Sequence, residues 1–147
     1  MHKIQTEIDI ASTPERVWSI LTDLPAYPSW NPFIRRIEGP VEKGRQLTVS
    51  IQPAGAKAMT FRPKVLVAAP NLELRWLGHL LFPGLFDGEH YFQIAPGAPG
   101  RVRFVQGETF SGLLVALMKA KLDGGTRAGF IAMNQALKAR AEMKPSP

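Results

Sequence analysis

Tyr27-Pro28-Ser29-Trp30-Asn31-Pro32-Phe33 follows closely on Ser12-Thr13-Pro14-Glu15-Arg16-Val17-Trp18, and these two stretches fix how the chain begins to fold. Ser12 or Thr13 supplies a helix cap, Pro14 suits the first turn, and Glu15 stands where it completes a capping box with Ser12. The predicted helix runs from Pro14 to Thr22, with Val17, Ile20 and Leu21 as its apolar stripe and Trp18 widening it. Pro25, Pro28 and Pro32 then stop helical propagation, because each lacks an amide proton and restricts the residue before it. A short helix therefore gives way to a tight aromatic bend. Within it, Asn31 is placed to bond local backbone and Trp30 to anchor the crossing; both are also candidates for the end wall of a cavity.

Upstream, Ile4, Thr6, Ile8 and Ile10 alternate with Gln5, Glu7 and Asp9, the period of a strand with one wet face. Downstream, alternation returns in Phe33–Glu38, Leu47/Val49/Ile51, Phe61/Val65/Val67, Leu72/Leu74/Trp76, His90/Phe92/Ile94 and Val102/Phe104/Gln106/Glu108/Phe110, which predicts six further strands. Their connections are short and contain Gly or Pro, so an antiparallel meander is expected. From Leu113 the period becomes helical, through Leu114, Leu117, Met118 and Leu122. After Asp123-Gly124-Gly125 it continues through Phe130, Met133, Leu137 and Ala141. One C-terminal helix, kinked or divided at the glycines, is predicted. A sheet of this size buries its apolar face by curling around that helix, and curvature beyond what the helix fills leaves a cavity.

These motifs resemble the polyketide cyclase/dehydrase-like branch of the START/Bet v 1-like (SRPBCC) superfamily. The likeness rests on the early helix and bend, Gly88–Phe92, Glu108–Leu114 and Met133–Glu142, and it covers nearly the whole chain. It implies an α+β helix-grip (Bet v 1/START-like) fold, with a seven-stranded curved antiparallel sheet around a long C-terminal helix and two short helices after strand 1. A single domain is expected over residues 1–143, with 144–147 as a flexible tail. The resemblance further implies a container for a hydrophobic or amphipathic small molecule such as a lipid, polyketide or aromatic compound. Two alternatives stay open: a polyketide cyclase/dehydratase-like enzyme in the same cavity, and an Hsp90-activator-like interaction module using the outer surface.

Composition narrows the classes. The 147 residues suffice for one core without staples, and the absence of cysteine excludes disulfides and thiolate chemistry. No signal pattern opens the chain, and every apolar run is interrupted well short of a membrane span, so a cytoplasmic protein with no stable membrane insertion is expected. The net charge of +6 is dispersed. Arg62, Lys64, Arg75, Arg101 and Arg103 share the outer sheet face with Glu7, Asp9, Glu73 and Glu89, and only Tyr91 offers a stacking ring there. That is a solvated mixed-charge surface, and no nucleic-acid partner is expected.

Alternation also assigns candidate site residues. His90 shares its face with Phe92 and Ile94, and Gln106 and Glu108 share theirs with Phe104 and Phe110. Asn134 lies beside Met133 and one turn from Phe130. The expected ligand lining is Trp18, Val49, Phe61, Trp76, His90, Phe92, Phe104, Gln106, Glu108, Phe130, Met133, Asn134 and Leu137: apolar walls with a few convergent polar groups. His90 and Glu108 are at once a candidate acid/base pair for aldol cyclisation or dehydration and a simple buried pair holding neighbouring strands together. No serine stands in an elbow or triad spacing, the histidines have no metal-ligand spacing, and no phosphate-cradling glycine pattern occurs, so no metal and no cofactor are assigned. His79–Phe86 is longer than the about two to five residues a hairpin needs and carries five large apolar side chains. They require burial as a cavity lid, as a homodimer contact, against a membrane surface, or in the core.

Overall fold

The computed structural model describes residues 1–143; the tail expected at 144–147 lies outside the described residues. The chain forms β1 (His2–Ile10), α1 (Pro14–Thr22), a 3-10 turn (Leu24–Ala26) and α2 (Tyr27–Trp30). Seven strands follow: β2 (Ile34–Glu38), β3 (Thr48–Ile51), β4 (Met59–Phe61), β5 (Lys64–Ala69), β6 (Glu73–His79), β7 (Asp87–Pro96) and β8 (Val102–Ser111). A helical segment of 28 residues closes the fold: α3 (Val115–Lys121), a π-turn (Leu122–Thr126) and α4 (Arg127–Glu142). This is the α+β helix-grip fold, antiparallel sheets packed on a long C-terminal helix with short helices after the first strand.

The sheet has eight strands rather than seven, in two parts: a five-stranded sheet in the order β1-β8-β7-β6-β5 and a three-stranded one in the order β2-β3-β4. The periodicity of Phe61, Val65 and Val67 predicts one strand, but Pro63 divides it, having no amide proton to give the ladder. The two parts meet along residues 44–47, where Leu47 N donates to Pro63 O at 2.9 Å and Val65 N to Arg45 O at 2.8 Å.

Local chemistry sets each turn of the path. The α1 cap is Thr13, whose Oγ1 accepts from Arg16 N at 3.2 Å; the capping box expected between Ser12 and Glu15 does not form, because the cap lies one residue later and places Arg16 where the box needs a carboxylate or amide. In the bend, the Tyr27 hydroxyl donates to Leu21 O at 2.6 Å. Burial and the nearby Asp23 charge push that phenol well above its ordinary pKa, so it stays a neutral donor. Asn31 Oδ1 accepts from both Phe33 N and Ile34 N, at 2.9 and 2.8 Å, and so turns the chain into β2. At the far end Arg16 donates to the last carbonyls of α4, Arg140 O and Ala141 O, which ties α1 to the helix terminus.

The bend reaches the C-terminal helix through one close contact. Phe33 lies edge-on to Phe130 with ring centroids 5.4 Å apart, and a methyl group at Gly129 would stand 2.3 Å from the Phe33 ring. Replacing a mid-helix glycine by alanine ordinarily adds about 0.5–1 kcal/mol of stability. For Gly129→Ala we expect the opposite sign, a loss of about 1–3 kcal/mol from overpacking against Phe33. Gly124→Ala, whose methyl would meet nothing within 4 Å, is expected to raise stability. Urea denaturation of both variants checks this; parallel gains would contradict the Phe33–Gly129 contact.

Candidate functional site

Five side chains from four elements form one hydrogen-bonded chain inside the sheet. Thr6 on β1 donates from Oγ1 to Gln106 O at 2.9 Å and accepts from Asn134 Nδ2 at 2.8 Å. Asn134 Oδ1, on α4, accepts from Gln106 Nε2 at 2.7 Å, and that nitrogen also faces Phe130 O at 3.4 Å. Gln106 Oε1 meets His90 Nε2 at 3.0 Å, and His90 Nδ1 meets Glu108 Oε1 at 2.9 Å. Thr6, His90, Gln106 and Asn134 are buried; Glu108 retains 15% exposure of its side chain.

The direction of every bond follows from the anchors. A main-chain carbonyl only accepts, so the single Thr6 hydroxyl proton goes to Gln106 O, and Asn134 must present its amide nitrogen to Thr6. Asn134 Oδ1 then faces Gln106, which must donate to it; Gln106 Oε1 is left for His90, and His90 Nε2 must carry a proton. One proton remains for the contact between His90 Nδ1 and Glu108 Oε1. It resides on either atom, as an imidazolium–carboxylate pair or as a neutral imidazole–carboxylic acid pair. The His90 ring is held in this pose by stacking on Trp76 (centroids 5.3 Å, planes 22° apart) and by edge contact with Phe130 at 5.0 Å.

A cavity of about 560 Å³ begins where this chain ends. His90 and Glu108 stand on its wall with Trp76 and Phe61, while Phe33, Ile34, Ile51, Phe86, Phe110, Met118 and Leu122 supply most of the remaining apolar surface. Gly88, beside Glu108, also lines it: a methyl group there would fall 2.1 Å from Glu108 Oε2. A larger hollow of about 720 Å³ between Leu24, Pro28 and Val41 is an outer groove remote from the polar chain.

Of the residues expected to line a ligand site, Phe61, Trp76, His90 and Glu108 are on the cavity wall. Val49, Phe92, Phe104, Gln106, Phe130, Met133, Asn134 and Leu137 are buried in the core, and Trp18 is half-buried at its edge. The reason is mechanical: α4 lies directly on β1 and β8, filling that half of the sheet, and the space opens only under α3 and the π-turn. Trp30 and Asn31 belong to the bend and not to the wall. Ile51, Phe110, Met118 and Leu122 were detectable by the same periodicity, because they continue the stripes that begin at Val49, Phe104 and Leu114. Among the described residues no group of three or more His, Asp or Glu is placed to hold a metal ion.

The mouth is bounded by two loops. Residues 53–57 cross toward the π-turn, where Ala54 N donates to Gly125 O at 3.4 Å, and Lys57 and Lys121 stand at the rim. Opposite, His79, Leu80 and Phe86 reach the cavity, and Phe86 stacks on Phe110 with centroids 5.6 Å apart. The same loop leaves Leu81 84% and Phe82 55% exposed, and Leu81 holds a left-handed φ of 65°. Its base is pinned by Asp87, which accepts from Gly84 N and contacts His79 Nδ1 at 2.8 Å; these bonds hold the Asp87 carboxyl below its ordinary pKa, the His79 bond foremost.

On the outer face three of the arginines are paired: Arg75 with Glu89 at 2.7 Å and with Glu73, Arg103 with Glu7 at 3.6 Å, and Arg101 with Asp9. No helix among the described residues is long and apolar enough to cross a membrane.

Comparison with known proteins agrees with this architecture. The fold matches a START superfamily protein from Mycobacterium smegmatis at 26% identity and a TM-score of 0.72, covering 97% of this chain and 98% of that one. It matches the Zhui aromatase/cyclase from a Streptomyces species at 15% identity and a TM-score of 0.77, covering 96% and 93%. A protein from Thermus thermophilus matches at 17% identity and a TM-score of 0.74, covering 95% and 97%. No curated protein gives a significant match. The family model described as polyketide cyclase / dehydrase and lipid transport matches residues 1–142, and the chain therefore belongs to that family of the START superfamily.

Proposed function

We propose that this protein binds one apolar or amphipathic small molecule in the cavity under α3, with the aromatic and aliphatic wall taking its body and Glu108 and His90 its polar group. The observation that carries this is the cavity itself: about 560 Å³, walled by Phe33, Phe61, Trp76, Phe86 and Phe110, with the hydrogen-bonded pair Glu108 and His90 on the same wall. Ligand sites in proteins span roughly 300–1,000 Å³ and have this composition. Membership of a family described by polyketide cyclisation and lipid transport supports the same class of ligand. The loop at 79–86 serves as the lid, since Leu80 and Phe86 already reach the cavity while Leu81 and Phe82 stand outside it.

Displacement of a fluorescent apolar dye by fatty acids, polyketides and flavonoid-like aromatics tests the proposal. Saturable binding near one equivalent is expected, with a change in Trp76 fluorescence because the indole lines the cavity. Absence of saturable binding across such a panel would contradict it.

A second function, general acid/base catalysis on a poly-β-ketone, is favoured by one observation: a carboxyl group with an imidazole 2.9 Å behind it on an apolar cavity wall. Both His90 nitrogens are engaged, so Glu108 is the group that would touch substrate, with His90 as its proton partner. Under this mechanism Glu108→Gln reduces turnover by about 10²- to 10⁴-fold while dye binding is retained. Equal turnover by the two proteins would remove Glu108 from catalysis.

A further inference from the structure

The fixed hydrogen-bond directions determine what the cavity's polar corner recognises. Glu108 Oε1 is spent on His90 Nδ1, whereas Glu108 Oε2 makes no hydrogen bond among the described residues and stands over Gly88, itself on the cavity wall. In the imidazolium–carboxylate form, Oε2 is a carboxylate oxygen. In the neutral form the acidic proton lies on Oε1, because two bare lone pairs would otherwise face each other across 2.9 Å, and Oε2 is a carbonyl oxygen. It is an acceptor in both. No other residue of the wall, among those described, bonds to it, so a ligand group brought there must give a proton to Oε2 or leave an acceptor unpaired.

We infer that the ligand is a hydrogen-bond donor at its buried end, an alcohol or a phenol on an apolar body, and that Glu108 Oε2 is the atom that selects it. This inference rests on the proposed binding function and narrows it. Ethers, esters and ketones of the same shape set acceptor against acceptor, and a buried carboxylate adds charge repulsion in the ionised form. Lys57 and Lys121 at the rim suit an anionic group only at the opposite, solvent end of the molecule.

A naphthol and its methyl ether differ in that one proton and make the test, with affinities measured by calorimetry. The wild-type protein is expected to bind the naphthol roughly tenfold tighter than the ether. Glu108→Leu should abolish the difference by weakening only the naphthol. Glu108→Gln should preserve most of it, because its amide nitrogen donates to His90 Nδ1 and its oxygen then faces the cavity. Equal affinities for the two probes in the wild-type protein would overturn the inference while leaving ligand binding intact, and the wild-type comparison decides even if the Leu variant does not fold. A preference that persists in Glu108→Leu, or disappears in Glu108→Gln, would overturn it as well. If neither probe binds, the binding function itself fails with it.

Discussion

A hydroxyl has one proton, and Thr6 gives its own to the Gln106 carbonyl 2.9 Å away. The polar interior behind the cavity is ordered by that gift. It turns the Asn134 amide, which turns the Gln106 amide, which obliges His90 to donate from Nε2 and leaves a single proton for Nδ1 and Glu108. Such a chain is costly if any member is unpaired, because buried donors and acceptors forfeit about 1–3 kcal/mol each when left without partners. Here the last free valence, Glu108 Oε2, is left at the cavity. Under the proposed binding function, the core would set the chemical preference of the site through Glu108 alone, its inner members staying behind the wall.

The cavity depends equally on what is missing. Gly88 leaves room for the Glu108 carboxyl, Gly78 lets the Phe61 ring approach β6, and Gly125 in the π-turn admits the Ala54 carbonyl, which a methyl group would meet at 2.7 Å. The widened turn separates a half of the helical segment that packs tightly, α4 on β1 and β8, from a half that roofs an open space. Packing and emptiness are therefore divided along the helix by one local irregularity, a device that recurs where helices serve function.

Much of the fold was legible in sequence because its signals are local and periodic. Alternation located β1, β7 and β8 and set their inward faces, the 3.6-residue stripe located the C-terminal segment, and the prolines marked the bend around Tyr27–Trp30. Pro63 was the unread signal: two apolar runs on either side of it look continuous in period yet cannot share a ladder. For the site, alternation grouped His90, Gln106 and Glu108 on one face, but it carries no record of where along that face the helix lifts away. Hence Phe92, Phe104, Met133 and Leu137 share the periodicity of Trp76 and Phe110 and are as deeply buried, but they pack against other side chains where Trp76 and Phe110 face the cavity. Likewise Lys57 sits in a loop with no period at all, and its place at the rim follows from the Ala54–Gly125 crossing, a contact between residues far apart in sequence.

The Thr6–Asn134–Gln106 chain fixes His90 as a donor through Nε2, and nitrogen-15 NMR of the histidine ring nitrogens at neutral pH reads this directly. A protonated Nε2 on His90 in the wild-type protein, lost as a defined preference in Gln106→Leu, is the expected result. A bare Nε2 with the proton confined to Nδ1 would contradict the account, since Gln106 would then have to present its amide nitrogen to His90 and its oxygen to the oxygens of Asn134 and Phe130.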